Sequence, residues 1–552
     1  MVKDTFRHWR ALCHASLQAD TLTSRSQKAL LVALLILYLG MRLVTIQAPY
    51  LDRPFWKEID YIQISVNYSK NGFNFFRPEL TWPAEPPRIT AMEFPLVPYL
   101  AAILYRLFGF NVYTVRGITL FAFLLLSLYT YRLCKREINP VVGLLAALSS
   151  TIIPLGTWYS NMLFSDPLMV ACEVMAVFHF ADWVDCRRRR DLAISLSAFS
   201  LAVALKVTPL YLLLPFAWLL YRKDKLDHHQ YKTALFGVTL ALIFPALWYS
   251  YAYYLKVTSI DVFGIIGGHN KFQTFTMLSD PVWYKTMTYR LGREVLGGEI
   301  GSFLALLGFL SVWVLRRRTV FYPYLAGILV FFAIVAEGQI DAPYRQLSAV
   351  PIFSVFLALG SVFAVAGLIA FLQLVMPSRL SLNTTTAGLL VGASLLILTT
   401  AVQKNSQLPF KKDPSRPGDP PSWEWATTIK QYVHPRSRLV TMGEYSIHVG
   451  GNDLSPLIYH YTGLQGWSLQ KDEWNLQLIE DLRNKGATLL AARHIRRELG
   501  FGEFLAEVSK LYTVLYRDRD KVLIDLEQPR RPPIGVSPSP PLRPISVSLP
   551  DA

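Results

Sequence analysis

Two acidic side chains, Glu58 and Asp60, have the type and spacing that suit proton-transfer chemistry. They follow Trp56 and Lys57 in the stretch 53–95, which we interpret as a polar, aromatic-rich loop at a membrane surface because it comes directly after the first long apolar segment. Beside a membrane an unpaired carboxylate is costly, so carboxylates there commonly have a function, and a positioned carboxylate can act as a general base. The alternative is that both are ordinary acids of a solvated surface loop.

Two basic residues, Lys206 and Arg345, are candidates for binding a phosphate. Lys206 lies in the sequence LKVTP, between two short apolar runs, and Arg345 follows Tyr344 in PYRQLSAVP. Each can give charge-assisted hydrogen bonds to a phosphate, and the planar guanidinium of arginine fits that group well. Alternatively, Lys206 only extends its ammonium to the lipid headgroups. His269, in GGHNKF, cannot define a zinc site alone.

The composition is typical of an integral membrane protein. Hydrophobic residues make up 52% of the 552 positions and charged residues 17%, and the apolar residues form long blocks. The net charge of +16 is explained by basic cytoplasmic loops, so no nucleic acid partner is predicted. The four cysteines show neither metal-site spacing nor a disulfide pattern.

The apolar blocks predict about eleven transmembrane helices. The predicted spans are 29–46, 114–131, 141–159, 167–184, 192–205, 209–221, 234–251, 301–315, 321–336, 350–374 and 387–402. Lys and Arg collect at every second loop, as the positive-inside rule requires. We interpret 96–110 as a juxtamembrane helix, because counting it as a span would place three later arginine clusters outside; a spanning helix is the alternative.

With this topology the remaining polar residues of interest emerge on one side, the extracytoplasmic side of an inner (plasma) membrane. They are Glu58, Asp60, Glu93, Asp166, Lys206, His269, Tyr344 and Arg345. Convergence from separate loops favours an enzyme whose site lies at the membrane boundary. A non-catalytic flippase or transporter of polyprenyl-linked glycans is the alternative. It would need a hydrophilic path through the bundle, whereas the spans are mostly apolar and show no internal repeat.

The chain divides into four predicted parts. Residues 1–402 form the membrane domain with its outer loop, 47–113, and a Pro- and Lys-rich linker follows at 403–422. Residues 423–527 alternate helix-like and strand-like runs, which predicts a small extracytoplasmic α/β domain that binds the acceptor or only stabilises the bundle. The Pro-rich tail, 528–552, is predicted to be disordered.

Several motifs in this order resemble those of the GT-C membrane glycosyltransferases. The carboxylate motif is followed by EFPL from Glu93, FSDP around Asp166, LKVTP and PYRQLSAVP, and the likeness covers residues 28–375. This family includes the protein O-mannosyltransferases and the aminoarabinose transferases that modify lipid A. The resemblance implies transfer of a sugar from a polyprenyl-phosphate donor to an acceptor lipid, glycan or protein hydroxyl.

The resemblance also implies roles for individual residues. Asp60 matches the catalytic acid residue of the first outer loop, Asp166 matches the second acid, and Lys206, Arg345 and Tyr344 match donor-phosphate contacts. Glu93 and His269 would contact substrate or a divalent metal ion, the one cofactor implied. The sequence departs from the family where Ile59 separates Glu58 from Asp60; we prefer Asp60 as the base and regard Glu58 as secondary.

Overall fold

The computed structural model describes residues 23–45, 56–223, 228–265, 274–314, 318–375, 420–443, 456–493, 495 and 501–529, and all structural statements concern these. His269, the predicted span 387–402, most of the predicted linker and nearly all of the predicted tail lie outside the described residues.

The described residues up to 375 are mostly helical. Their helices are α1 (Ser24–Thr45), α2 (Trp56–Lys70), α3 (Leu96–Phe108), α4 (Val112–Glu137), α5 (Pro140–Ile152), α6 (Pro154–Tyr159), α7 (Asp166–Cys186), α8 (Arg189–Leu205), α9 (Leu213–Tyr221), α10 (His228–Thr258), α11 (Thr274–Leu278), α12 (Pro281–Tyr289), α13 (Glu299–Val314), α14 (Phe321–Ile334), α15 (Ala336–Asp341) and α16 (Val350–Val375). Short 3-10 turns at Thr208–Leu212 and Pro343–Ala349 lead into α9 and α16.

Among the described residues, four helices are long and apolar enough to cross a membrane. They are Tyr113–Glu137, Asp166–Cys186, His228–Thr258 and Pro343–Leu368, and a pair bent by 92°, Pro281–Val295 with Glu299–Val312, would make a fifth. Shorter apolar helices include α3, α5 and α14. The fold is therefore that of a helical membrane protein with several apolar helices, and the count of eleven spans stays a prediction.

The interpretation of 53–95 as a loop throughout is wrong for its first part, because Glu58 and Asp60 lie on helix α2. The helix forms because Ile59, Ile62 and Val66 recur at helical spacing, and the two isoleucines are buried. They pack in a small apolar cluster with α3. Both acids are consequently held on a regular element.

The membrane helices pack pairwise around one large apolar core. Helices α13 and α16 approach each other closely, because Gly308 and Gly360 each face the backbone of the other helix. A Cβ atom on Gly308 would collide with the Phe356 carbonyl, and one on Gly360 would collide with the Leu304 carbonyl. Such glycines allow two helix backbones to touch.

The antiparallel neighbours α7 and α8 define the two ends of the bundle. Asp166 begins α7 and Lys206 ends α8, and they form an ion pair at one end. The other end holds a network that we name the arginine clamp; its members are Arg136, Glu137, Asp182, Asp185, Arg222 and Lys223.

Residues 420–529 contain a five-stranded mixed sheet in the order β2-β1-β3-β5-β4. Its elements in chain order are α17 (Pro420–Lys430), β1 (Arg438–Met442), α18 (Leu457–Thr462), β2 (Gln465–Leu469), α19 (Leu476–Asn484), β3 (Leu489–Arg493), α20 (Phe501–Leu511), β4 (Tyr512–Arg517) and β5 (Lys521–Pro529). Strand β1 is parallel to β2 and β3, whereas β5 is antiparallel to β3 and β4. Both sheet faces are covered by apolar clusters. We call this part the C-terminal unit.

Candidate active site

Asp60 is a buried carboxylate with one hydrogen bond. It is 1% exposed, and its Oδ1 accepts a hydrogen bond of 3.1 Å from the indole Nε1 of Trp82. No lysine or arginine in the described part of the chain forms an ion pair with it. Burial raises the pKa of Asp60 to about 7, although the Trp82 hydrogen bond works in the opposite direction. A carboxylate that titrates near neutrality can take up a proton during a reaction.

Glu58 has different surroundings. Its Oε1 accepts a hydrogen bond of 3.1 Å from the backbone N–H of Leu163, three residues before α7 begins. This bond ties α2 to the segment that positions Asp166. The geometry thus indicates that Glu58 stabilises the position of this backbone segment relative to α2.

A second group of charges, which we name the lysine cluster, comprises Lys57, Glu93, Asp166, Lys206 and Tyr344. Lys57 Nζ lies 2.5 Å from Glu93 Oε1, and Lys206 pairs with Asp166. Both ammonium groups face the ring of Tyr344, at 5.5 Å for Lys57 and 4.5 Å for Lys206. The cluster therefore places two cations on one aromatic ring.

Lys57 and Glu93 each stabilise the charged form of the other. Burial opposes the charged form of Lys57, but the Glu93 carboxylate outweighs it and holds the pKa of Lys57 well above its usual value. Burial likewise opposes the Glu93 carboxylate, and Lys57 and Lys206 hold the pKa of Glu93 below its usual value. The Lys57–Glu93 pair is therefore ionic at neutral pH.

The phenol of Tyr61 joins Asp60's helix to the lysine cluster. Tyr61 Oη lies 2.9 Å from Ser165 Oγ and donates a longer bond of 3.4 Å to Glu93 Oε2. Because Tyr61 directly follows Asp60, helix α2 carries both the candidate base and a residue that contacts the lysine cluster.

The cluster is not fully satisfied. Asp166 Oδ2 is buried and has no hydrogen-bond partner among the residues that the structure describes. A buried polar atom left unpaired is rare and commonly marks a place where a ligand or water binds. The two ammonium groups, each held by one carboxylate, can turn to an incoming anion.

The structure places the other predicted residues differently. The buried guanidinium of Arg345 donates a hydrogen bond to the Gly338 carbonyl and lies 5.8 Å from the Tyr344 ring. It therefore holds the turn that carries Tyr344, and its phosphate role stays a prediction. His269 is outside the described residues, so its role also stays a prediction.

Sequence reasoning missed Lys57, Tyr61, Trp82 and Glu173. Glu173 is buried in α7 two turns from Asp166, where its Oε2 accepts a bond of 2.7 Å from Tyr211 and its Oε1 is without one in the described part of the structure. An isolated acid within an apolar run is a recognisable signal. The other three had no such signal, because their partners are distant in sequence.

The carboxylates of the lysine cluster are poorly suited to bind a divalent metal ion. Glu93 and Asp166 each hold an ammonium group, which a metal would have to displace. Within the described ranges, one group of His, Cys, Asp and Glu side chains has metal-like spacing: His179, Asp182 and Asp191, near the arginine clamp. There Arg136 already binds Asp182 at 2.8 Å. We therefore assign no step to a metal.

Comparison with known proteins supports the resemblance. Residues 87–249 match the dolichyl-phosphate-mannose-protein mannosyltransferase family. No curated protein matches the chain in sequence. Three crystal structures have similar folds. ArnT from Cupriavidus metallidurans in the apo state gives a TM-score of 0.54 at 14% identity over 89% of this chain and 97% of ArnT.

The same ArnT bound to undecaprenyl phosphate gives a TM-score of 0.53 at 14% identity over 91% of this chain and 98% of ArnT. The apo oligosaccharyltransferase of Archaeoglobus fulgidus gives 0.55 at 13% identity over 89% of this chain and 73% of that enzyme. These neighbours are glycosyltransferases of the GT-C type. This chain is accordingly a multi-pass membrane protein with the GT-C fold of membrane glycosyltransferases.

Proposed function

We propose that the protein transfers a sugar from a polyprenyl-phosphate donor to an extracytoplasmic acceptor, which is a lipid, a glycan or a protein hydroxyl. The observation that carries the proposal is that one helix, α2, holds Lys57 of the lysine cluster and the buried Asp60, which has no ion pair with a lysine or arginine among the described residues. A polyprenyl phosphate is already a good leaving group. The enzyme must therefore supply a base for the acceptor and positive charge for the departing phosphate.

Asp60 is the proposed base. It is rigidly placed on α2, and its pKa of about 7 makes the carboxylate a better proton acceptor than an ordinary aspartate. Glu58 is less suited, because its oxygen already accepts the Leu163 N–H bond. In this mechanism Asp60 takes the hydroxyl proton while the acceptor oxygen forms its bond to the anomeric carbon. The carbon–oxygen bond to phosphate breaks in the same reaction.

Lys57 and Lys206 are the proposed phosphate contacts. Both face Tyr344, and each is paired with one carboxylate. An anionic phosphate would share these ammonium groups, giving charge-assisted hydrogen bonds worth about 1.5 to 3 kcal/mol each. The binding of undecaprenyl phosphate by ArnT from Cupriavidus metallidurans, a protein of similar fold, supports a lipid phosphate as the ligand.

Orientation follows from the basic residues. The arginine clamp and Arg187 to Arg190 lie at the bundle end opposite the lysine cluster. Basic residues favour the cytoplasmic side, so the lysine cluster and the C-terminal unit would face the extracytoplasmic side of the inner membrane.

The test compares Asp60→Asn with Glu58→Gln in cells that express each variant. Asp60→Asn is nearly isosteric but cannot accept a proton, so turnover should fall by about 10² or more. Glu58→Gln should cost less, because an amide oxygen still accepts the Leu163 bond. Mass spectrometry of envelope lipids and glycans measures the product.

Donor binding separates catalysis from folding. Purified Asp60→Asn should still bind undecaprenyl phosphate like the parent protein, since the lysine cluster is unchanged. Full product formation by Asp60→Asn together with an inactive Glu58→Gln would show that Glu58 is the base.

A further inference from the structure

Trp82 connects the C-terminal unit to Asp60. Its indole N–H donates to Asp60 Oδ1 at 3.1 Å, while its ring stacks on Tyr459 of α18 with centroids 5.3 Å apart and an angle of 23°. One side chain therefore contacts the candidate base at its edge and the C-terminal unit with its face.

The backbone around Trp82 is bound to the same unit. Gly466 N donates to Trp82 O at 2.9 Å, and Ala84 N donates to Gly466 O at 3.0 Å, so residues 82–84 run alongside β2 as an additional short strand. Nearby, Arg88 donates to Gln465 Oε1 at 2.9 Å. A side chain at Gly466 would collide with the Leu439 carbonyl, so this position needs glycine.

The same segment is also fixed to α2. Gln63 Oε1 accepts bonds from Thr81 N at 3.0 Å and Trp82 N at 3.3 Å, and Asn67 Nδ2 donates to Glu79 O at 2.7 Å. Residues 79–84 thus lie between the helix that carries Asp60 and the sheet of the C-terminal unit.

We propose that Trp82 is a positioning residue for Asp60 and that docking of the C-terminal unit holds Trp82 in place. The proposal rests on the proposed function of Asp60. The indole bond orients one carboxylate oxygen and leaves the other for the acceptor. Asp60 is 1% exposed beneath this contact.

The charged and titratable groups around Asp60 have other partners. Lys57 pairs with Glu93, Glu58 accepts from Leu163 N, and Glu85 lies 2.9 Å from Lys485. His460 on α18 is neutral at pH 7, because burial lowers its pKa to about 4. Other titratable groups on the adjoining elements include Tyr61, Arg88, Tyr105, Tyr459 and Tyr461. Trp82 is therefore the described group whose hydrogen bond acts on the Asp60 carboxylate directly.

The experiment is an infrared pH titration of the Asp60 carboxyl in purified full-length protein, with the band assigned by its loss in Asp60→Asn. Trp82→Phe keeps an aromatic ring for Tyr459 but removes the N–H donor, so the midpoint should rise by about one to two pH units. Trp248→Phe is the matched control, because the indole of Trp248 is also buried but donates to the Met92 carbonyl. Its midpoint should equal that of the parent.

Arg88→Met tests the part played by the C-terminal unit. It removes the bond to Gln465 and leaves Trp82 intact, so the midpoint should rise in the same direction by a smaller amount. An unchanged midpoint in Trp82→Phe would overturn the proposal. A shift in Trp82→Phe with none in Arg88→Met would overturn the role of the unit. The titration measures only the protonation of Asp60 and requires no turnover. A failure of this proposal can therefore be distinguished from a failure of the proposed role of Asp60 as the base.

Discussion

The two ends of the helix bundle both concentrate charge, but they satisfy it differently. In the arginine clamp, Glu137 accepts bonds of 2.5 Å from Arg136, 2.6 and 2.8 Å from Arg222, and 3.2 Å from the Val320 N–H. In the lysine cluster, each lysine pairs with one carboxylate, and Asp166 Oδ2 is left over among the described atoms. Planar arginine forks saturate a carboxylate, whereas a lysine is a point charge that can change partners. The first arrangement suits stability and the second suits ligand binding.

The largest effect expected from this contrast is on stability. Glu137→Gln should lower the free energy of unfolding by about 3 to 5 kcal/mol, because the partly buried Arg222 loses its carboxylate and Arg136 loses one of its carboxylate partners. Denaturant unfolding in detergent measures the change. The folded fraction should retain the parent's turnover; normal stability with lost turnover would contradict the assignment of the clamp to structure.

The next effect is on ligand affinity. Lys206→Met should weaken binding of undecaprenyl phosphate about 10- to 100-fold, which corresponds to one charge-assisted hydrogen bond. The single change also leaves Asp166 without its cation. The double variant Lys206→Met with Asp166→Asn removes both charges and should recover stability without recovering affinity. Parent-like affinity in both variants would mean that Lys206 does not bind the donor.

A smaller effect concerns pH. If Asp60 is the base, as proposed, it must be ionised, and kcat/KM should fall about tenfold per pH unit below the Asp60 pKa of about 7. Stability should change in the opposite direction. The pKa of folded Asp60 is raised above its unfolded value, so its stabilising contribution is complete below about pH 4 and is lost as the pH rises through 7. Asp60→Asn should abolish this stability change, which thermal unfolding across that range measures.

The smallest effect is expected at the edge of the clamp. Lys223 and Asp185 lie 2.7 Å apart, but their side chains are 38% and 43% exposed. Lys223→Met should therefore change the free energy of unfolding by less than about 1 kcal/mol. A loss as large as that of Glu137→Gln would show that the whole network, and not its buried carboxylate, carries the stability.

Sequence patterns predicted the parts of this molecule that depend on local chemistry. Apolar blocks indicated a helical membrane protein, and isolated charges beside them marked Asp166 and Lys206, which the structure brings into contact. Helix α2 was missed because its apolar spacing is hidden among polar residues and its stability comes from packing against α3.

The contacts that complete the site could not be predicted in the same way. Lys57 meets Glu93 across 36 residues, and Arg88, which follows segment 79–84, meets Gln465 of β2 across 377 residues. The sequence likewise contains no pattern indicating that the Trp82 indole donates a hydrogen bond to Asp60, 22 residues earlier. Such pairings depend on the three-dimensional arrangement of the helices and the sheet.

Gly308 of α13 and Gly360 of α16 hold the backbones of these two helices in close contact. Gly360 lies ten residues into α16, about 15 Å from its first residue, and the turn with Tyr344 and Arg345 immediately precedes that helix. Since a methyl group at either Gly308 or Gly360 would collide with the other helix, the close crossing of α13 and α16 requires glycine at both positions. A tilt of only about 4° at this crossing would displace the ring of Tyr344 by roughly 1 Å, a distance over which catalytic geometry is lost. The packing of these two glycines is thus expected to affect the position of the Tyr344 ring relative to the two lysines.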